Sequence, residues 1–130
     1  MADPEKTHDV KDLKNAYRVA FASSDGENVD VHYGKADQFL IYLINDEEGF
    51  DFIEKRVVMP VCLEHSHEEK AMERSTSKFR DCKYVVASRI GNGATASLTA
   101  RGITAMELPG SVEEGILKIW KYNQVQGLFG

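Results

Sequence analysis

Gln38-Phe39-Leu40-Ile41-Tyr42-Leu43-Ile44 is the stretch that decides the fold. It is apolar almost throughout, rich in β-branched and aromatic side chains, and too short for a typical helix. Such a run predicts a strand covered on both faces, because a half-exposed strand would alternate apolar and polar residues. Asn45-Asp46-Glu47-Glu48-Gly49 then reads as a turn, and Phe50 to Val58 as a further strand. Upstream, Tyr17-Arg18-Val19-Ala20-Phe21-Ala22 is a strand bounded by Ser23-Ser24-Asp25-Gly26, a strong turn signal. Between these strands Gly26 to Gly34 reads as a polar loop.

The pattern changes after Pro60. Ser66-His67-Glu68-Glu69 has the form of a capping box, and Ala71, Met72, Ser75 and Phe79 mark one face of the helix it would start. Lys83 to Ser88 is a short strand. Gly91-Asn92-Gly93 leads into a helix of small residues, Ala94 to Ala100, ended by Gly102. Ile103 to Leu108 is the next strand, and Pro109-Gly110 turns the chain. Ser111-Val112-Glu113-Glu114 is a second capping box, opening a helix that buries Ile116, Ile119 and Trp120. The order β-β-β-α-β-α-β-α predicts a mixed five-stranded sheet with helices packed on it. A single α/β domain is expected over residues 17–123, with a disordered lead-in at 1–16 and a flexible tail at 124–130.

The chain has 130 residues, enough for one domain to bury a core without a disulfide or metal staple. Its formal charge of -5 argues against non-specific nucleic-acid binding, which requires a basic surface to release counterions. No apolar run is long enough to span a bilayer, and the polar start lacks the apolar centre of a signal peptide. A cytoplasmic protein is therefore expected, with no membrane or nucleic-acid partner, and with Cys62 and Cys82 as reduced thiols.

Three places could carry chemistry. Cys62-Leu63-Glu64-His65-Ser66-His67 groups one of the two cysteines with two of the four histidines. Thiolate and imidazole suit zinc, copper(I) and iron–sulfur centres. Cys62 and His65 could converge on one metal, and His65 and His67 would share a face if extended. The alternative is a surface loop leading into a capped helix. The lack of a second half-site argues against a closed zinc site and suits an open one. The second place is His32, before Tyr33-Gly34, able to ligate a metal or pair as a cation with an anion. A lone turn histidine can equally be structural. The third is Arg89-Ile90-Gly91-Asn92-Gly93, between a strand end and a helix start. Free backbone N–H groups and a fixed cation there would suit an anion. The same glycines also serve close helix–sheet packing. Cys82 reads as a buried, inert thiol. No nucleophile elbow or metalloprotease helix motif is present.

Arg18-Val19-Ala20-Phe21-Ala22-Ser23-Ser24-Asp25-Gly26, followed by Val29-Asp30-x-His32-Tyr33-Gly34-x-Ala36-x-x-Phe39-x-Ile41-Tyr42, resembles the opening of the dinitrogenase iron–molybdenum cofactor-binding family. That family includes the X- and Y-type nitrogenase accessory proteins and the C-terminal domain of the B-type cofactor-synthesis protein. Asp81-Cys82-x-x-Val85-x-x-x-x-Ile90-Gly91-x-Gly93-Ala94, Leu98 and Arg101-Gly102-Ile103 continue the likeness, which spans residues 17–121. The resemblance implies a ribonuclease H-like three-layer α/β/α fold and a non-catalytic role. That role would be binding and carrying iron–molybdenum cofactor, or an iron–sulfur or molybdenum–sulfur precursor, as a monomer or weak homodimer. The implied partners are nitrogenase cofactor-assembly proteins or apo-dinitrogenase. His32 falls on the family's His-Phe-Gly position, here His-Tyr-Gly, and Ile90-Gly91 on its Ile-Gly turn. The segment holding Cys62, His65 and His67 lies where members differ most. The radical-SAM cysteine motif of the B-type protein is missing, so only its carrier-like part would correspond to this chain. A ligand-free interaction module of the same fold is the main alternative. A metal-dependent nuclease would need acidic residues on core strands, and Val19-Ala20-Phe21-Ala22 has none.

Overall fold

The computed structural model describes residues 16–46, 49–63 and 68–129. Five strands form the main sheet: β1 (Ala16–Ala22), β3 (Gln38–Asn45), β4 (Gly49–Val57), β5 (Cys82–Ala87) and β6 (Thr104–Glu107). Their spatial order is β4-β3-β1-β5-β6. β1 pairs antiparallel with β3 and parallel with β5, and β5 pairs parallel with β6. The sheet is therefore mixed, as the element order predicts. Parallel neighbours cannot be joined by a tight hairpin. The connections accordingly carry α1 (Glu68–Ser77) between β4 and β5, and α2 (Asn92–Ala100) between β5 and β6. The last helix, α3 (Val112–Phe129), follows β6.

The apolar strands divide their side chains between two cores, since successive residues point to opposite faces. Ala20, Ala22, Phe39, Ile41 and Val85 pack with Phe79, Ala94 and Leu98 on the α1/α2 side. Val19, Phe21, Leu40, Ile44 and Val86 pack with Val112, Ile116 and Ile119 of α3 on the other. This double coverage is why Gln38–Ile44 reads as a continuous apolar run. Each large aliphatic side chain buried this way contributes about 1.5–3 kcal/mol. α3 lies very close to β1: a Cβ at Gly115 would come within 3.2 Å of the Phe21 ring. α2 docks on α1 through small residues, with a Thr76–Ser97 hydroxyl pair at 2.8 Å and Arg101 Nε donating to Thr76 at 3.0 Å.

Two differences from the sequence reading have physical causes. Gly26–Gly34 is not simply a loop. Asn28–Val29 forms β2, which pairs antiparallel with β7 (Gly110–Ser111). Val29 and Tyr33 are buried. β2 finds its partner far downstream, so its pairing cannot be read from the local alternation of Val29, Val31 and Tyr33. The last helix also continues through Phe129, past residue 123, where the sequence placed its end and a flexible tail. Gln124 and Gln126 are good helix formers, and no proline interrupts the stretch through Phe129. Side-chain bonds anchor its middle: Asn123 Nδ2 donates to the Tyr17 hydroxyl and to Asp46, each at 2.9 Å, and Trp120 Nε1 donates to the Asn45 carbonyl at 2.7 Å. The lead-in, up to residue 15, and the capping serine of the first capping box, Ser66, lie outside the described residues. No described helix is long and apolar enough to cross a membrane.

Candidate functional site

The His32 and Arg89 segments, separate in sequence, lie side by side. The two residues form a parallel β-bridge just beyond the end of β5. The Tyr33 amide donates to the Arg89 carbonyl at 2.8 Å, and the Ser88 amide donates to the Val31 carbonyl at 3.1 Å. The site thus stands outside the carboxyl end of a parallel strand, where open α/β sheets commonly place ligands. Both His32 and Arg89 are exposed.

α2 begins immediately after this bridge. Its first turn contains no acidic residue, and Gly91, at its N-cap, provides no side-chain cap. The first amides of such a helix point outward without intrahelical partners and carry the positive end of the helix dipole. Gly91 has φ of -67°, which any residue can adopt, so backbone conformation does not demand glycine there. A Cβ at Gly91 or at Gly34 would meet nothing within 4 Å. These glycines therefore leave bare backbone facing open space, the condition for close approach of a large ligand. Asn92 and Gly93 are exposed in the same first turn. One neighbouring amide is already used: Ile90 N–H donates to the Glu107 carboxylate at 2.8 Å. Sequence reasoning missed Glu107, whose only local signal was an acidic residue closing a strand.

Tyr33 fastens the His32 turn from beneath. It is 2% exposed, its ring lies against Phe39 and Phe79, and its hydroxyl pairs with Ser75 of α1 at 2.6 Å. Burial pushes the phenol up to about 12. The short 3-10 turn Tyr33–Lys35 also contacts a second such turn, Val61–Leu63, which carries the exposed Cys62. The first half of the Cys62 grouping therefore adjoins the His32 turn, while His65 and His67 lie outside the described residues. Among the described residues no three His, Cys, Asp or Glu side chains stand close enough to hold a metal ion. Cys82 is buried, and burial, then the neighbouring Asp81 charge, pushes its thiol up to about 12. That is an inert core thiol. The arrangement therefore offers an imidazole, a guanidinium, an exposed thiol on the adjoining turn and a bare helix start.

The chain is similar to several known proteins. The profile of the family described as dinitrogenase iron-molybdenum cofactor matches residues 15–122. NifX of Azotobacter vinelandii is 32% identical over 100 residues, covering 77% of this chain and 61% of that protein. The FeMo cofactor biosynthesis protein NifB of Chlorobaculum tepidum is 27% identical over 103 residues, covering 78% of this chain but 23% of NifB. The chain thus spans less than two thirds of the length of these curated relatives. The crystal structure of PH0822 superposes with a TM-score of 0.55 at 23% identity, covering 80% of this chain and 90% of that one. A Thermotoga protein provisionally described as NifB gives 0.50 at 25% identity, covering 81% and 88%. The profile covers most of the chain, including both segments of the His32–Arg89 bridge, and on that ground the chain belongs to the dinitrogenase iron–molybdenum cofactor family.

Proposed function

We propose that this chain binds and carries iron–molybdenum cofactor, or an iron–sulfur or molybdenum–sulfur precursor of it, during nitrogenase cofactor assembly, without catalysing a reaction on it. The fold proposed for this carrier is ribonuclease H-like. The observation that carries the reading is the His32–Arg89 bridge standing directly before a helix start with no side-chain cap. A sulfide-rich cluster is a bulky anion with exposed metal. The Asn92 and Gly93 end of α2 and the Arg89 guanidinium would hold its charge, and His32 would offer an imidazole to a metal. Cys62, His65 and His67 are the further candidate ligands on the adjoining segment. An open, one-sided site suits cargo that must enter and leave. Nitrogenase cofactor-assembly proteins or apo-dinitrogenase are the proposed donors and recipients.

Anaerobic reconstitution with ferrous iron, sulfide and tetrathiomolybdate, followed by desalting and ultraviolet–visible spectroscopy, tests this. The wild-type chain is expected to retain metal with charge-transfer absorption, and the variant H32A/R89A to lose most of it while keeping its melting temperature. A wild-type chain that emerges colourless and metal-free would overturn the carrier reading in favour of a ligand-free interaction module.

A further inference from the structure

The two faces of the sheet are unequally covered: among the described residues α1 and α2 share one, and α3 is the one helix on the other, beside Val29 and Leu108. One helix cannot shield five strands, and the strip over β3 and β4 stays partly bare, with Phe52 55% and Leu117 59% exposed. A cleft of about 460 Å³ opens there, between Tyr42 and Phe50 on the sheet and Glu113 and Ile116 on α3, with Glu27 on a third side. That volume is within the range of ligand clefts. A smaller hollow of about 90 Å³, walled by Phe50, Ile116, Leu117 and Trp120, continues along α3. The two share Phe50, Glu113 and Ile116 as walls.

Their chemistries differ. The cleft combines two aromatic rings with two carboxylates, Glu27 and Glu113, and it offers no strong anion donor. The start of α3 is closed on itself, because Ser111 and Glu114 form a reciprocal capping box and the Val112 amide donates to the Glu27 carbonyl. Glu113 belongs to neither bond of that box. Aromatic faces flanked by carboxylates accept a cation with a flat, weakly hydrated head, which describes guanidinium better than ammonium. The smaller hollow is apolar and has room for one aliphatic side chain. The hollows succeed each other along the helix, whose turns are spaced about 5.4 Å apart. Side chains two apart on an extended segment are spaced roughly 6.6 Å, so one short segment can reach both adjoining hollows, which share Phe50, Glu113 and Ile116.

We infer that this face docks an extended segment of a partner protein, with an arginine side chain in the Glu27/Glu113 cleft and an aliphatic side chain two residues away against Leu117 and Trp120. The site faces away from α2 and does not depend on the cluster reading.

The test uses the full chain without cluster and three blocked peptides: acetyl-Arg-Gly-Leu-Gly-amide, its Glu-Gly-Leu counterpart and its Arg-Gly-Ser counterpart. Binding is read by Trp120 fluorescence, Trp120 being the chain's one tryptophan, and by amide chemical shifts. The first peptide is expected to saturate at millimolar concentration, moving the amides of Tyr42, Glu113, Ile116 and Trp120. The other two are expected to bind about tenfold more weakly. E113Q should weaken the first peptide about fivefold and reduce its salt dependence, with melting temperature unchanged. L117S should selectively erase the preference for leucine over serine. Equal binding of all three peptides, shifts confined to another face, or no saturable binding of the first would each overturn the inference.

Discussion

Two helix starts in this molecule face opposite problems. α2 begins on Gly91 with no side-chain cap and no acidic residue in its first turn. α3 begins with Ser111 Oγ accepting from the Glu114 amide at 3.0 Å and the Glu114 carboxylate accepting from the Ser111 amide at 3.0 Å, with Glu113 and Glu114 in its first turn. Every helix start must find partners for its outward amides. α3 finds them within its own chain and holds together without help. α2 has no such side-chain partner at its start, which lies beside Arg89 and His32. A cap satisfied by its own side chains serves stability, whereas a cap left bare keeps its amides available, which the proposed cluster site would use.

The largest effect expected concerns access to the two thiols, one on the turn beside the His32 turn and one in the core. Cys62 lies on the turn against the His32 turn, while Cys82 is buried with its thiol pushed up to about 12 from an ordinary 9.0. Only accessible thiolate reacts, so at pH 8 the buried Cys82, with its raised pKa, should alkylate orders of magnitude more slowly than the exposed Cys62. Iodoacetamide labelling followed by mass spectrometry measures this. Equal rates would mean that the core on the α1/α2 side opens readily.

Next in size is conversion of the bare end into a closed one. G91D places a carboxylate where a Cβ meets nothing within 4 Å, so the fold should accept it. The new side chain would cap the amides itself and repel an anion. Tetrathiomolybdate affinity, read by equilibrium dialysis, should fall roughly thirtyfold, about 2 kcal/mol, with melting temperature unchanged or slightly raised. Unchanged affinity would show that the α2 end does not hold the anion.

The reverse experiment opens the closed end. S111A removes the cap of α3 and should cost about 1 kcal/mol in denaturant melts while leaving tetrathiomolybdate affinity intact. A loss of affinity there would mean that the two ends are coupled through the sheet.

The smallest effect is a pH response limited to one end. The Ser111 amide, then its hydroxyl, hold the Glu114 carboxyl below its ordinary value. A group with a depressed native pKa contributes stability that is fully present above the unfolded value, about 4.3, and lost as pH falls through the native one. Amide protection factors in the first turn of α3, corrected for intrinsic exchange, should therefore fall below about pH 4.3, and the α2 start should show no such step. A matching step in α2 would indicate an acidic cap there.

Much of the fold was legible because its signals are local. The Gln38–Ile44 run, the Ser111–Glu114 capping box and the Gly91–Gly93 helix start each sit within a few residues of the element they specify. β2 was missed although Val29, Val31 and Tyr33 alternate with polar residues, because it is a two-residue strand whose partner Gly110–Ser111 lies far downstream. The extra length of α3 was also missed. Its hold on Tyr17, Tyr84 and Asp46 passes through one asparagine, Asn123, and no pattern marks that residue.

For the site, residue types were readable and their assembly was not. The sequence by itself determined that His32, Cys62, Arg89 and the glycines after it were chemically capable, since ligand softness, fixed charge and backbone freedom are properties of the residues. Tertiary structure alone decided that His32 and Arg89 are bridge partners, that Tyr33 bolts their turn to α1, that Glu107 takes the Ile90 amide, and that Cys82 is shut in the core. The physical reason is the sheet order. Placing β5 beside β1 brings the chain after Ser88 against the chain after Val31, and strand pairing over that sequence separation is written in no local window.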